Sequence, residues 1–152
     1  MSNMLNVSMS LPRGMVPKDL NRKTVMKGLK EATKIVSKQA KKLCGKKMTS
    51  KPGELPGKKS GKLRKAIKNH SAKNKSEKLW SRTQFDTIPD HFFYPAPLFY
   101  GRKETIKTKN GKTYRVGMLI ARKNPVILAT KMTENQTESV IKKAVLDGMK
   151  GD

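Results

Sequence analysis

Acidic residues are scarce in this chain. Eleven Asp and Glu stand against 35 Lys and Arg in 152 residues, a formal net charge of +24. That imbalance makes a polyanion the first expected partner. Cysteine is almost absent: Cys44 stands alone, so no internal disulfide can form and no Cys-rich metal pattern exists. A single thiol fits synthesis in a reducing compartment. Histidine is limited to His70 and His91, neither near another candidate ligand at a recurring spacing, which argues against a metal site. No apolar run approaches the roughly 18 residues needed to span a bilayer. Residues 1–15 lack a charged segment followed by an apolar one, so no secretory signal and no membrane partner are expected. Aromatic residues make up only 5% of the chain, and most of them fall in one stretch, residues 91–101 (HFFYPAPLFYG).

The positive charge is unevenly distributed. Residues 22–68 carry 17 basic and two acidic side chains; residues 69–152 carry 16 and eight. At the centre of the basic half lies the stretch 56–68, PGKKSGKLRKAIK, with Lys58, Lys59, Lys62, Arg64, Lys65 and Lys68. Leu63, Ala66 and Ile67 run through it at i, i+3, i+4, one edge of a short helix that Ser60 is placed to cap. A solvated lysine-rich loop is the plainer reading of the same residues.

Upstream, residues 1–16 read as a flexible N-terminal arm. Leu5, Val7 and Met9 alternate there and could add an edge strand to a neighbour. A single domain is expected over 17–150. Its first helix runs from Pro17, at a first-turn position, to about Cys44, with Gly45 ending it. Val25, Leu29, Ala32, Val36, Ala40 and Leu43 recur at helical period. Lys23, Lys27, Lys30, Lys34, Lys38 and Lys41 follow the same rhythm on nearly the opposite face. Ordinary amphipathicity would also place lysines outward. Six with only Glu31 nearby exceed what solubility needs, because like charges at i, i+4 repel. The row is therefore read as a face for a polyanion or an acidic neighbouring subunit.

Residues 46–57 read as a loop and 69–76 as a polar connection. Residues 79–85 (LWSRTQF) read as a strand with Leu79, Ser81, Thr83 and Phe85 on one face. The aromatic stretch 91–101 contains two prolines, so it reads as a core-filling edge segment rather than a central strand. Residues 105–118 form a β-hairpin around Lys109, Asn110, Gly111 and Lys112, since Asn-Gly favours a type I′ turn. The second strand continues to Ala121 until Asn124-Pro125 breaks it. Residues 126–129 (VILA) are a short apolar segment, and the last helix spans about 133–149, with Thr133 and Gln136 at capping-box spacing. The expected fold class is α+β: a long N-terminal helix, a short basic helix and a C-terminal helix packed on one face of an antiparallel sheet of about four strands that contains the hairpin.

No catalytic constellation emerges and no cofactor is expected. Asp86 and Asp90 beside His91 could hold a divalent ion in a nuclease, but they sit around Pro89 in what reads as a solvated turn. Lysines near Cys44 would favour its thiolate, yet no base is assigned to it, and a buried, idle thiol is the better reading. Gly57 to Gly61-Lys62 is one residue short of a phosphate-binding loop, with no preceding strand. No sequence-reading element for DNA is visible.

The order of landmarks resembles that of the small neck or tail-completion proteins of long-tailed bacteriophages, tail components of the head–tail joint. The segments that carry the resemblance are Ser60-Gly61-Lys62-Leu63-Arg64, the aromatic stretch 94–101 ending in Tyr100-Gly101, residues 121–127 around Pro125, and the helix 133–149. The resemblance covers 18–150. Phe99 stands where that family often has Glu, and Asn124-Pro125-Val126 where it has Arg-Pro-Phe.

The resemblance implies a structural virion protein at the head–tail junction, made in the host bacterial cytoplasm. It implies a homo-oligomeric ring of six subunits between head-completion or connector proteins and the tail terminator or tail tube. Double-stranded viral DNA would pass non-specifically through the lumen. The basic helices would line that lumen or meet acidic subunits. The hairpin tip Lys109, Asn110, Gly111 and Lys112 and the loop 46–57 would reach neighbouring rings. A related tail-terminator ring, a free-standing basic nucleic-acid-binding protein, or a nuclease are the competing expectations.

Overall fold

The computed structural model describes residues 6–10, 20–45, 50–57, 61–73, 78–86 and 95–150. Its elements run β1 (Asn6–Ser10), α1 (Arg22–Leu43), α2 (Lys62–Ala66), β2 (Ile67–Ser71), β3 (Trp80–Phe85), α3 (Pro95–Tyr100), β4 (Thr105–Lys109), β5 (Lys112–Val116) and α4 (Pro125–Met149). β1, β3 and β2 form a three-stranded sheet in that order, antiparallel at both seams. β4 and β5 form a separate two-stranded ribbon. The fold is thus mixed helix and sheet, with two long helices. The expectation of one sheet of about four strands that includes the hairpin is corrected, because the hairpin pairs only with itself.

α1 is the central element. Asn21 caps it, its side chain accepting from the backbone N–H groups of Lys23 and Thr24. α4 runs antiparallel beside α1 and reaches β1, while α1 packs over β3 and β2. The two helices come close at Gly28, where a Cβ would overlap that of Ala144. At the far end of α4, the Gly148 carbonyl accepts from the Asn21 N–H at 2.8 Å, and a Cβ on Gly148 would sit 3.0 Å from Val25 Cγ2.

The expected apolar stripe is the buried one: Val25, Leu29, Ala32, Val36 and Ala40 are all at 1% exposure or less. Apart from Ala32 they divide between two clusters. One gathers Val36, Ala40 and Cys44 with Leu63, Ala66, Ile67, Phe85, Leu98, Phe99, Val126 and Ala129; the other gathers Leu20, Val25, Met26 and Leu29 with Ala72 and Leu79.

Between the clusters the helix meets the sheet through hydroxyls and an amide. Thr33 Oγ1 lies 2.9 Å from Ser81 Oγ, and Thr83 Oγ1 is within reach of both the Thr33 carbonyl and Asn69 Oδ1. Asn69 Nδ2 in turn donates to Ser37 Oγ at 3.0 Å. Thr33, Ser81 and Thr83 are each 1% exposed, so these bonds replace lost water contacts.

Several expectations change. Residues 6–10 pair with β3 of their own sheet, where β1 satisfies ladder groups that an arm would leave to water. α1 begins at Arg22; Pro17 and Asp19 lie outside the described residues. Its C-cap is the extended Cys44, and Gly45 does not take the left-handed cap conformation. α2 is preceded by Gly61 at φ +69° with no side-chain cap, while Ser60 lies outside the described residues. Ile67 opens β2, so the segment read as a polar connection starts as a strand.

α4 begins eight residues before Thr133. Asn124 caps it with Pro125 in the first turn, so the residues read as a strand break and a VILA segment are helix. Part of the aromatic stretch forms α3, placing Leu98 and Phe99 in the core, with the Phe99 ring 5.1 Å from that of Phe85. Residues 91–94 lie outside the described residues. Leu119 makes one isolated bridge with Arg102 rather than continuing β5.

Two substitutions test this packing. Leu29→Ala should lower unfolding free energy by about 2–5 kcal/mol in chemical denaturation. Gly28→Ala should destabilise by about 1–3 kcal/mol despite the better helix propensity of alanine. Ala144→Gly in the same chain should recover part of that loss. Strict additivity of the two changes would show that the helices do not touch there.

Candidate functional site

α1 is covered by α4 and by the three-stranded sheet, and its remaining face carries the cation row. Lys23, Lys27, Lys30, Lys34 and Lys38 are exposed and Lys41 is half-buried. Among the described residues none of the six has a carboxylate partner; the ion pairs there are Lys68–Asp86, His70–Asp86, Arg115–Glu104 and Lys142–Glu138. No acidic residue occupies the first turn of α1 either, so Arg22 and Lys23 stand at its positive end, against the helix dipole.

A groove of about 790 Å³ runs beside the row, with Arg22, Lys23, Lys27, Lys30, Lys34 and Lys73 around a floor that includes Met26 and Leu79. Glu31 is its one carboxylate among the described residues. A smaller cleft of about 180 Å³ shares Lys30 and Lys34 and is lined by Thr33, Asn69, Ser71 and Ser81. Helical spacing reveals the lysine row; it misses Lys73, which reaches the groove from beyond β2.

α2 adds the exposed Lys62, Arg64 and Lys65 at the C-terminal end of α1, where its Leu63 and Ala66 pack with Ala40 and Cys44. Lys58 and Lys59 lie outside the described residues. The hairpin tip is elsewhere. Asn110 (φ 53°) and Gly111 (φ 72°) take the left-handed conformations of a type I′ turn, and Lys109 through Lys112 are exposed. The Arg102–Leu119 bridge, in the same antiparallel register as the β4–β5 pairs, closes the base of the ribbon, with Arg102 Nη2 donating to the Gly117 carbonyl at 3.0 Å.

The loop expected to reach outward is held, over residues 50–57, against the body. Gly53 N–H donates to the Ala121 carbonyl, Lys123 N–H to the Glu54 carbonyl, and Arg122 clasps Ser50 through Oγ and the carbonyl. Residues 46–49 lie outside the described residues.

The residues weighed for chemistry have other engagements. Asp86 accepts from Gln84 Nε2 at 2.9 Å and from His70 Nε2 at 2.8 Å, with Lys68 at 3.7 Å. An ionised carboxylate only accepts, so Nε2 carries the proton of the histidine bond. Burial pushes the Asp86 carboxyl up, but the bonds from Gln84 and His70 and the charges of His70 and Lys68 outweigh it, leaving the group below its ordinary value. Asp90 and His91 lie outside the described residues. The Cys44 thiol is buried, which pushes it up to about 11 against the lowering influence of Arg64. Arg82 stacks 5.1 Å above the Trp80 ring, its Nε buried without a hydrogen-bond partner. Among the described residues no three His, Cys, Asp or Glu gather as a metal site, and no helix is long and apolar enough to cross a membrane.

No protein-family model, curated protein or solved structure matches the chain. What the surface can do is therefore argued from its own geometry.

Two measurements follow. Asp86 is depressed, so its contribution to stability is complete above about pH 4, the usual carboxylate value, and is lost as pH falls through its lower folded value. The stability difference between the native chain and Asp86→Asn should shrink as the pH falls below about 4. A difference that stays constant or grows between about pH 4 and 2 would contradict the bonding described. Cys44 should react with a disulfide probe only as fast as the chain opens, and a rapid native-state reaction would place the thiol at the surface.

Proposed function

We propose that this chain is a structural protein of the phage head–tail interface, a neck or tail-completion subunit that works by assembly. One observation carries the reading. A continuous strip of cations on α1 has no carboxylate partner among the described residues, while the other sides of the same helix are buried. Such a strip is a surface to be matched by another molecule, because intramolecular neutralisation would lower the repulsion among its lysines.

In this reading, copies of the chain form a ring, six by the resemblance, between connector and tail tube. Viral DNA passes through the lumen without sequence readout. The strip on α1 and α2 meets that DNA or an acidic subunit. The outstanding ribbon, with Lys109, Asn110, Gly111 and Lys112 at its tip, contacts the adjoining ring. A free-standing basic nucleic-acid-binding protein is the second reading, favoured by the groove of ammonium groups beside α1. It requires tight binding by the monomer with a steep salt dependence.

Native mass spectrometry with negative-stain imaging separates the two. The expected result is a closed ring, alone or on mixing with connector or tube proteins. Lys30→Glu with Lys34→Glu should leave the thermal midpoint within a few degrees and impair assembly. A strict monomer that never joins those proteins and binds duplex DNA tightly would overturn the reading in favour of the second.

A further inference from the structure

The outer edge of β2 lies beside a cleft that it shares with Lys30 and Lys34 of the lysine strip. Two backbone bonds fix the phase of the β2–β3 ladder: Ala72 N–H donates to the Trp80 carbonyl and Asp86 N–H to the Ala66 carbonyl. With the pairing of Lys68 to Gln84 and His70 to Arg82, the even-numbered residues of β2 spend their ladder groups on β3. The odd-numbered residues, Asn69 and Ser71 among them, turn their N–H and C=O groups the other way. Among the described residues no strand pairs with that edge.

An open edge of this kind is a template for another chain. Its helix-facing side is unusual. Instead of an apolar strip it borders the 180 Å³ cleft, lined by Asn69, Ser71 and Ser81 and overhung by Lys30 and Lys34. Every second side chain of an added strand would point toward those two ammonium groups, and Lys73 stands farther along the groove.

We propose that this edge receives an extended acidic segment of a different protein, which adds a strand to β2 and places its alternate carboxylates on Lys30 and Lys34. The occupant is not a second copy of this chain, because eleven acids against 35 bases leave it no acidic strand and like edges would set lysine against lysine. It is a peptide rather than a duplex, because DNA has no use for the outward N–H and C=O groups that the edge offers. The inference rests on the assembly reading above and names the chemistry of the neighbour that α1 would meet.

The test uses fluorescence anisotropy with the full chain and a labelled peptide of alternating Thr/Val and Glu. The comparison ligands are the same peptide N-methylated at alternate residues and a 24-base-pair duplex. The acidic peptide is expected to bind and to lose at least tenfold in affinity on N-methylation of its pairing edge. Lys30→Glu with Lys34→Glu should cost a similar factor. Ser71→Pro, which removes one outward N–H and keeps the β3 ladder, should weaken the peptide and spare the duplex; its fold is checked by circular dichroism. The N-methylated peptide tests the same bond on the unaltered chain. Equal binding of the methylated and unmethylated peptides would overturn the proposal, as would a duplex that outcompetes the peptide on the same lysines. Ring assembly, measured separately, would survive that failure, so loss of this site and loss of the assembly reading are distinguishable.

Discussion

Six ammonium groups crowd one strip of α1, and the helix must be held together against them. Neighbours at i, i+3 or i, i+4 repel by about 0.2–0.5 kcal/mol each, so the five successive pairs cost about 1–2.5 kcal/mol at low salt. Val25, Leu29 and Val36, each essentially out of water, contribute about 1.5–3 kcal/mol apiece. Burial wins by a clear margin. The rest of the architecture follows from that margin: α4 and the sheet must both be in place for the lysines to be carried at all.

The seam between α1 and the sheet has a second character. Its two ends are apolar, and its middle is the chain of Thr33, Ser81, Thr83, Asn69 and Ser37. Apolar surfaces can slide over one another at little cost, whereas these bonds are made in one register only. A shift of β3 by one residue would put Arg82 and Gln84 against the helix and leave Thr33 without its partner. The band thus contributes alignment more than net stability. It also brings Asn69 and Ser71 to the cleft below the lysines.

Much of this was readable in the residues. Helical spacing located α1 and the correct buried face, the alternation of Leu79, Ser81, Thr83 and Phe85 gave the inward side of β3, and Asn110-Gly111 gave the turn. These are signals that arise within a few residues. The misreadings came from longer-range causes or from a sign taken the wrong way. Asn124-Pro125 reads equally as a strand break or as a helix cap with its first-turn proline; Val126 and Ala129, buried against the α1 cluster, make it the second. β2 is polar because its inward groups face hydroxyls, so hydropathy showed only a connection. The strand at 6–10 needs β3 beside it before it exists. Of the candidate surface, the lysine strip was legible and its cleft was not, since the cleft is made where β2 meets α1 across more than thirty residues of sequence.

The ribbon of β4 and β5 is closed at its base by one more rung in the same register, the paired bonds of Arg102 and Leu119 at 2.7 and 2.8 Å. All its ladder bonds close on itself. It therefore behaves as a stiff rod on a short tether: its internal shape is set in advance, while no described strand of the three-stranded sheet pairs with it and its bearing is left to the chain on either side of that last rung. Whatever grips the tip must fix an angle rather than fold a segment. The entropy lost on docking is that of one pivot, not of twelve residues.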